Sequence, residues 1–192
     1  VILQILYTKP ASPAATAGLK RGDVVSHING QQLTVDNYQT LLQAINENHT
    51  VQYRPVDIDH EKFGDTKTIS LSAVEYSENP NYLHKVIEAG EKKIGYFVYN
   101  FFAPGTDSQP GKYDAEMDGV FADLKSQGIT DLVVDLRFNS GGSESSAKNL
   151  ASLIGRGLDQ SKIFLKRQYN DLVQEAIIDD EKLGEDFLVS HY

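Results

Sequence analysis

At 192 residues, with 40% hydrophobic and 23% charged side chains, the chain is long enough for one large globular domain or two small ones. Its net charge of −9 and the lack of any basic run argue against nucleic acid and anionic membrane surfaces as partners. No cysteine is present, which excludes disulfides, thiolate nucleophiles and cysteine-based zinc sites. No apolar run reaches membrane-spanning length and no signal peptide is visible. Residue 1 is a valine inside an apolar run, so the sequence reads as a portion of a longer protein.

Val1 to Tyr7 reads as a strand, ended by the turn-prone Lys9-Pro-Ala-Ser-Pro13. Ala14 to Ala17 suit a short helical turn that Gly18 closes in the left-handed conformation. Gly22-Asp23 makes a tight turn, Val24 to Ile28 a strand and Asn29-Gly30 a hairpin turn. Asp36 or Asn37 caps a helix with Tyr38, Leu41, Leu42 and Ile45 on one face. Thr50 to Arg54 and Thr66 to Leu71 are two further strands, joined by an acidic loop. In that loop Asp57, Asp59, His60, Glu61 and Asp65 lack the alternation of a calcium loop, and a solvated hairpin tip is the expectation.

The stretch SPAATAGLKRGDVVSHING (12 to 30) resembles the core of a bacterial PDZ domain: an SPA turn, an AGL–GD turn and a strand ending at an NG turn. The resemblance covers about residues 1–75 and implies a domain that captures a peptide tail as an added strand beside the helix from Asn37. Tyr38, Leu42 and Ile45 are its candidate peptide-binding residues. In relatives of this type the carboxylate-binding loop and its strand precede the strand matched by Val1 to Tyr7. The groove is therefore expected to be open or incomplete in this chain.

Residues 76–93 shift in composition and are expected to connect two domains. Ile94 to Phe102 is a strand, the loop Ala103 to Gly111 carries two prolines and two glycines, and Tyr113 to Gln127 is an amphipathic helix stopped by Gly128. The apolar run Leu132 to Leu136 has the length of a buried strand. Polar Arg137 and Asn139 follow, then Gly141-Gly142. Ser143, Ser145 and Ser146 offer cap chemistry to a helix in which Ala147, Leu150, Ala151 and Ile154 recur at helical spacing. This β-α-β unit predicts a parallel pair of strands. Its strand–Gly–Gly–helix turn presents backbone N–H groups to an anion or a developing oxyanion. Ile163 to Leu165 is a further strand, and Asp171 to Tyr192 an acid-rich helix or irregular segment.

With a PDZ module ahead of it, the order IGYFVYNFF, helix, GITDLVVDLRFNSGG, helix resembles the tail-specific, or C-terminal processing, serine peptidases. The implied fold is mixed α+β and α/β. A small PDZ-like β-barrel with helices (1–75) and a linker (76–93) would precede the N-terminal portion of an α/β peptidase domain (94–192). The resemblance implies that the backbone N–H of Gly141 or Gly142 forms part of the oxyanion hole. It also implies a nucleophilic serine in a Ser-Ala-Ser-type turn and a lysine base. Neither pattern occurs before Tyr192, so both are expected outside this sequence.

The implied partners are protein or peptide substrates, with no cofactor, metal or nucleic acid and no membrane span. An envelope location, periplasmic or secreted, follows from the resemblance alone. The alternative function is a non-catalytic peptide-binding module. Ser145-Ser-Ala-Lys148 fits the Ser-x-x-Lys pattern of penicillin-interacting enzymes, but no Lys-Thr-Gly accompanies it, and a chance match is preferred. Asp135 and Arg137 share a face at the strand end, where a structural ion pair is expected ahead of a substrate contact. No histidine pair has ligand spacing. A parallel sheet with few strands exposes apolar faces, so self-association, or cover by the chain's own tail, is expected.

Overall fold

A computed structural model describes residues 1–57, 59, 61–180 and 183–192. The chain divides into two compact units, Val1–Glu78 and Asn79–Tyr192, each with its own core. His60, one member of the acidic loop, lies outside the described residues.

The first unit is an antiparallel sheet with short helices. Its elements are β1 (Leu3–Gln4), α1 (Pro13–Thr16), β2 (Val24–Ile28), β3 (Gln31–Gln32), α2 (Tyr38–Gln43), β4 (His49–Arg54), β5 (Val56–Asp57), β6 (Lys62–Phe63) and β7 (Lys67–Leu71). The sheet runs β1-β2-β4-β7 with β3 hairpinned onto β2, and β5 and β6 form a separate ribbon. The β2–β3 turn has positive φ at both Asn29 (50°) and Gly30 (74°), the geometry an Asn-Gly hairpin requires. Leu19, Val25, Ile28, Leu33, Leu41, Val51 and Tyr53 make the core. Asp23 is fully buried within it because both carboxylate oxygens accept backbone N–H groups, from Lys20 (3.1 Å) and Val56 (3.0 Å).

Two local expectations shift. Only Leu3–Gln4 of the Val1–Tyr7 run pairs as a strand. The helix after Asn37 takes no side-chain cap from it, since Asn37 Oδ1 accepts the Thr34 N–H instead (2.8 Å). Ser12 does cap α1, accepting the Ala15 N–H at 3.2 Å.

The second unit comprises β8 (Asn81–Ala89), β9 (Lys92–Tyr99), α3 (Lys112–Ser126), β10 (Asp131–Asp135), α4 (Glu144–Ile154), β11 (Ile163–Lys166), α5 (Asp171–Ile178) and β12 (Val189–His191). Its main sheet has the order β10-β9-β8. β9 and β10 are parallel, Ile94 opposite Asp131 through Val98 opposite Asp135, with α3 as the crossover. β8 and β9 form an antiparallel hairpin turned at Gly90 (φ 62°). The 76–93 segment expected as a connection therefore contributes a nine-residue strand. That strand carries mixed polar and apolar residues on both faces and so lacks a clean period of two.

One face of the sheet presents Phe97 and Tyr99 to Met117, Val120 and Leu124 of α3 and Leu150 of α4, all buried. Burial on this scale is worth about 1.5–3 kcal/mol per large side chain. Phe121 packs edge-on against Phe97 with ring centroids 5.3 Å apart. On the other face Leu83, Ile87 and Val133 are exposed. The run Leu132 to Leu136, read as a buried strand, leaves Val133 and Leu136 exposed. β11 and β12 pair antiparallel, so Asp171 to Tyr192, expected as helix or irregular, also supplies a strand.

Candidate functional site

The site is the turn between β10 and α4. β10 ends at Asp135, whose carboxylate is buried and accepts hydrogen bonds from two residues. The Arg137 backbone N–H (3.1 Å), Arg137 Nε (2.9 Å) and Nη2 (2.6 Å), and the Tyr96 hydroxyl (2.5 Å) all donate to it. The Arg137 hydrogen bonds, followed by that of Tyr96, hold the Asp135 carboxyl well below the usual carboxylate range. The same carboxylate raises the Tyr96 phenol, chiefly through their shared hydrogen bond. Asp135 and Arg137 thus form the expected ion pair at the end of β10.

Past β10 the chain runs on parallel to the extension of β9, where Phe102 bridges Gly142. The Ser140 N–H donates to the Asn100 carbonyl (3.1 Å), the Phe102 N–H to the Gly141 carbonyl (2.8 Å) and the Ser143 N–H to the Phe102 carbonyl (2.7 Å). Both glycines have positive φ, 90° at Gly141 and 132° at Gly142. At Gly142 a Cβ would sit 2.1 Å from the Phe102 carbonyl oxygen, whereas at Gly141 nothing lies within 4 Å of one. Gly142 is glycine because the β9 extension passes against it; Gly141 is glycine for its backbone conformation alone.

The backbone donors of 139–143 can be assigned one by one. Asn139 N–H goes to the Leu136 carbonyl, Ser140 to Asn100, Gly141 to the Asn139 Oδ1 (2.8 Å) and Ser143 to Phe102. Within this turn, and among the described residues, only the Gly142 N–H has no acceptor. It stands one residue ahead of Ser143, the N-cap of an eleven-residue helix, where aligned peptide dipoles favour negative charge. The two glycines that the sequence left equivalent therefore differ: Gly141 is committed and Gly142 is not.

The serines differ from the cap chemistry expected of them. Ser143 is the N-cap but makes no side-chain cap bond, its hydroxyl lying 2.8 Å from that of Ser145. Ser146 is fully buried and makes no well-aligned hydrogen bond, beside Asp114 and Tyr99. Burial pushes the Tyr99 hydroxyl up to about 12 and raises Asp114. No hydrogen bond joins Ser145 to Lys148 among the described residues, so the Ser-x-x-Lys pair is not assembled. At the flank of the turn, Arg167 donates to the Glu144 carboxylate and to the Phe187 carbonyl, and so ties the segment that connects β11 to β12 to the first turn of α4.

In the first unit a cleft of about 520 Å³ is lined by Ile5, Pro13, Ala14, Ile45, Leu71 and Val74, among others. Of the three candidate peptide-binding residues Ile45 lines this cleft, while Tyr38 and Leu42 pack on the core of the unit. No group of three or more metal-ligating side chains occurs among the described residues, and no described helix is long and apolar enough to cross a membrane.

Residues 4–54 match the sequence model of the PDZ domain, and residues 93–182 that of peptidase family S41. A solved Bacteroides fragilis protein assigned to the S41 proteases superposes with a TM-score of 0.67 at 26% identity, covering 91% of this chain and 45% of its own. A photosystem II D1 C-terminal processing protease gives a TM-score of 0.47 at 21% identity, covering 86% of this chain and 42% of its own. The chain thus spans less than half the length of either structure. Among curated proteins none matches. The chain is thus similar to the PDZ domain over residues 4–54 and to peptidase family S41 over residues 93–182, and its fold is similar to that of the Bacteroides fragilis protein.

Proposed function

We propose that this chain is part of a serine endopeptidase that cleaves near the C-terminal tails of protein substrates, with its PDZ unit holding the peptide. The observation that carries this reading is the uncommitted Gly142 N–H at the N-terminus of α4, held in a turn whose other backbone donors are occupied. A serine hydroxyl attacks the scissile carbonyl, and the carbonyl oxygen acquires a full charge in the tetrahedral intermediate. A donor already aimed at that position stabilises it without reorganising. In this scheme the serine, and the lysine that takes its proton, belong to the parent protein outside this segment. That lysine must be neutral near pH 7, a depression of about 3 units from its reference value, which burial supplies.

Cleavage of tail peptides by the parent protein tests the activity. The donor role is tested by replacing the Gly142 amide with a backbone ester, which removes the N–H and adds no Cβ. Loss of roughly 10²–10³ in kcat is expected for one oxyanion donor; full activity in the ester would remove Gly142 from the mechanism. The alternative reading, a peptide-binding module without catalysis, draws on the apolar cleft at Ile45. It predicts tail-peptide binding with no cleavage by the parent protein.

A further inference from the structure

We infer that Asn139 is a positioning residue that decides which glycine amide faces the reaction, an inference that rests on the oxyanion reading of Gly142. Its side chain bridges two backbones. Oδ1 accepts the Gly141 N–H at 2.8 Å and Nδ2 donates to the Tyr99 carbonyl at 3.0 Å. Only one orientation of the amide satisfies both, because one partner is a donor and the other an acceptor. No other side chain of this size and neutral charge offers an acceptor and a donor in that geometry. Aspartate keeps the first contact and sets a charge against the Tyr99 carbonyl. Alanine keeps neither.

The consequence is directional. Tyr99 is the last residue of β9 and is fully buried in the core of the unit, so its carbonyl is a fixed anchor. Asn139 transmits that anchor to the turn and absorbs the Gly141 N–H. The next N–H along, that of Gly142, is then the only one in 139–143 left to a ligand among the described residues. Were Gly141 released, two adjacent donors with φ of 90° and 132° would compete for the oxyanion, and the turn would lose its link to β9 through this side chain. Asn139 itself touches no reacting atom in this scheme; it acts through Gly141 and Gly142.

The test has two readouts. In this chain, amide hydrogen exchange is expected to be slow at Gly141 and fast at Gly142. Asn139→Ala is expected to accelerate Gly141 roughly tenfold, as befits one lost hydrogen bond, with the β9 amides of Phe97 and Val98 unchanged. Asn139→Asp, which retains the acceptor, is expected to keep Gly141 slow; if Asn139→Ala does not fold, Asn139→Leu, which keeps the bulk without the acceptor, is expected to accelerate Gly141 in its place. In the parent enzyme Asn139→Ala is expected to lower kcat roughly 10- to 100-fold at unchanged KM, the scale of a misplaced catalytic contact. The inference is overturned if Gly141 exchanges as fast as Gly142 in the wild type, if Asn139→Ala leaves Gly141 slow, or if kcat survives the release of Gly141. Should the parent cleave no tail peptide, the peptidase reading fails separately, and the exchange pattern alone decides whether Asn139 commits Gly141.

Discussion

Replacing each glycine of the turn with alanine separates close packing from backbone conformation. At both positions alanine must adopt a positive φ, which costs about 1–2 kcal/mol. Gly141→Ala adds no collision, since nothing lies within 4 Å of its Cβ. Gly142→Ala sets a Cβ 2.1 Å from the Phe102 carbonyl oxygen, a fixed backbone atom. Relieving that overlap moves the strands apart by about 1 Å, given ordinary carbon–oxygen contact distances. The hydrogen bonds on either side, Phe102 N–H to Gly141 (2.8 Å) and Ser143 N–H to Phe102 (2.7 Å), are then lost. At about 1 kcal/mol each they bring the cost of Gly142→Ala to about 3–4 kcal/mol. The gap between the variants is about 2 kcal/mol, or roughly 8 °C in Tm for a unit of this size. Thermal unfolding of the two variants, followed by tyrosine near-UV signals, measures it. Equal Tm values, or a Gly142→Ala variant as stable as wild type, would refute the close approach of the β9 extension and with it the geometry of the free N–H.

Asp135→Asn removes the acceptor for Arg137 and Tyr96. Because the folded pKa of Asp135 is depressed, its stabilising effect is present above the unfolded value near pH 4 and is lost as pH falls towards the folded one. The Tm gap between wild type and variant should therefore close below about pH 4, and a gap constant from pH 7 to 3 would contradict the assignment. Tyr99, pushed up to about 12, stays neutral in the fold, so its contribution is intact below pH 10 and lost as pH rises through about 12. Tyr99→Phe should remove this alkaline dependence in a pH series of unfolding. Asp23→Ala in the first unit strands the part-buried N–H groups of Lys20 and Val56 and should cost about 1–3 kcal/mol by urea titration. Asn170→Ala deletes the cap of α5, where Oδ1 accepts the Val173 N–H at 3.0 Å, and should raise exchange in its first turn by an amount equal to about 1 kcal/mol.

Local rules carry far in this sequence where the chain obeys one period at a time. Val24 to Ile28, the Asn29-Gly30 turn, α3 and β10 all follow from apolar spacing and glycine placement, and all appear within a residue or two of their expected bounds. β8 was not legible. His84 and Val86 share the helix-facing side while Leu83, Lys85 and Ile87 share the other, so neither face reads as apolar. The Gly-Gly turn was legible as a donor site, but not which glycine donates. That distinction depends on Asn139 reaching Tyr99, 40 residues away in sequence, and on Phe102 passing Gly142. Nor could the sequence reveal that Arg167 joins Glu144, since a contact between residues 23 apart in sequence has no local signature.

The Arg167–Glu144 contact bears on the chemistry. Glu144 is the first residue of α4, two positions after Gly142, and its carboxylate is itself an anion at a helix N-terminus. Left unpaired, it could satisfy the exposed backbone donors and set a negative charge beside the place where an oxyanion develops. Arg167 takes that carboxylate into an ion pair, while a second guanidinium nitrogen holds the Phe187 carbonyl. The guanidinium carbon also lies 4.9 Å from the centre of the Phe187 ring. The arginine is thus held by Phe187 as well as by Glu144. Under the peptidase reading, the segment that connects β11 to β12 then has an electrostatic role as well as a packing one. It keeps the field at the Gly142 N–H positive while Asn139 and Phe102 keep its direction fixed.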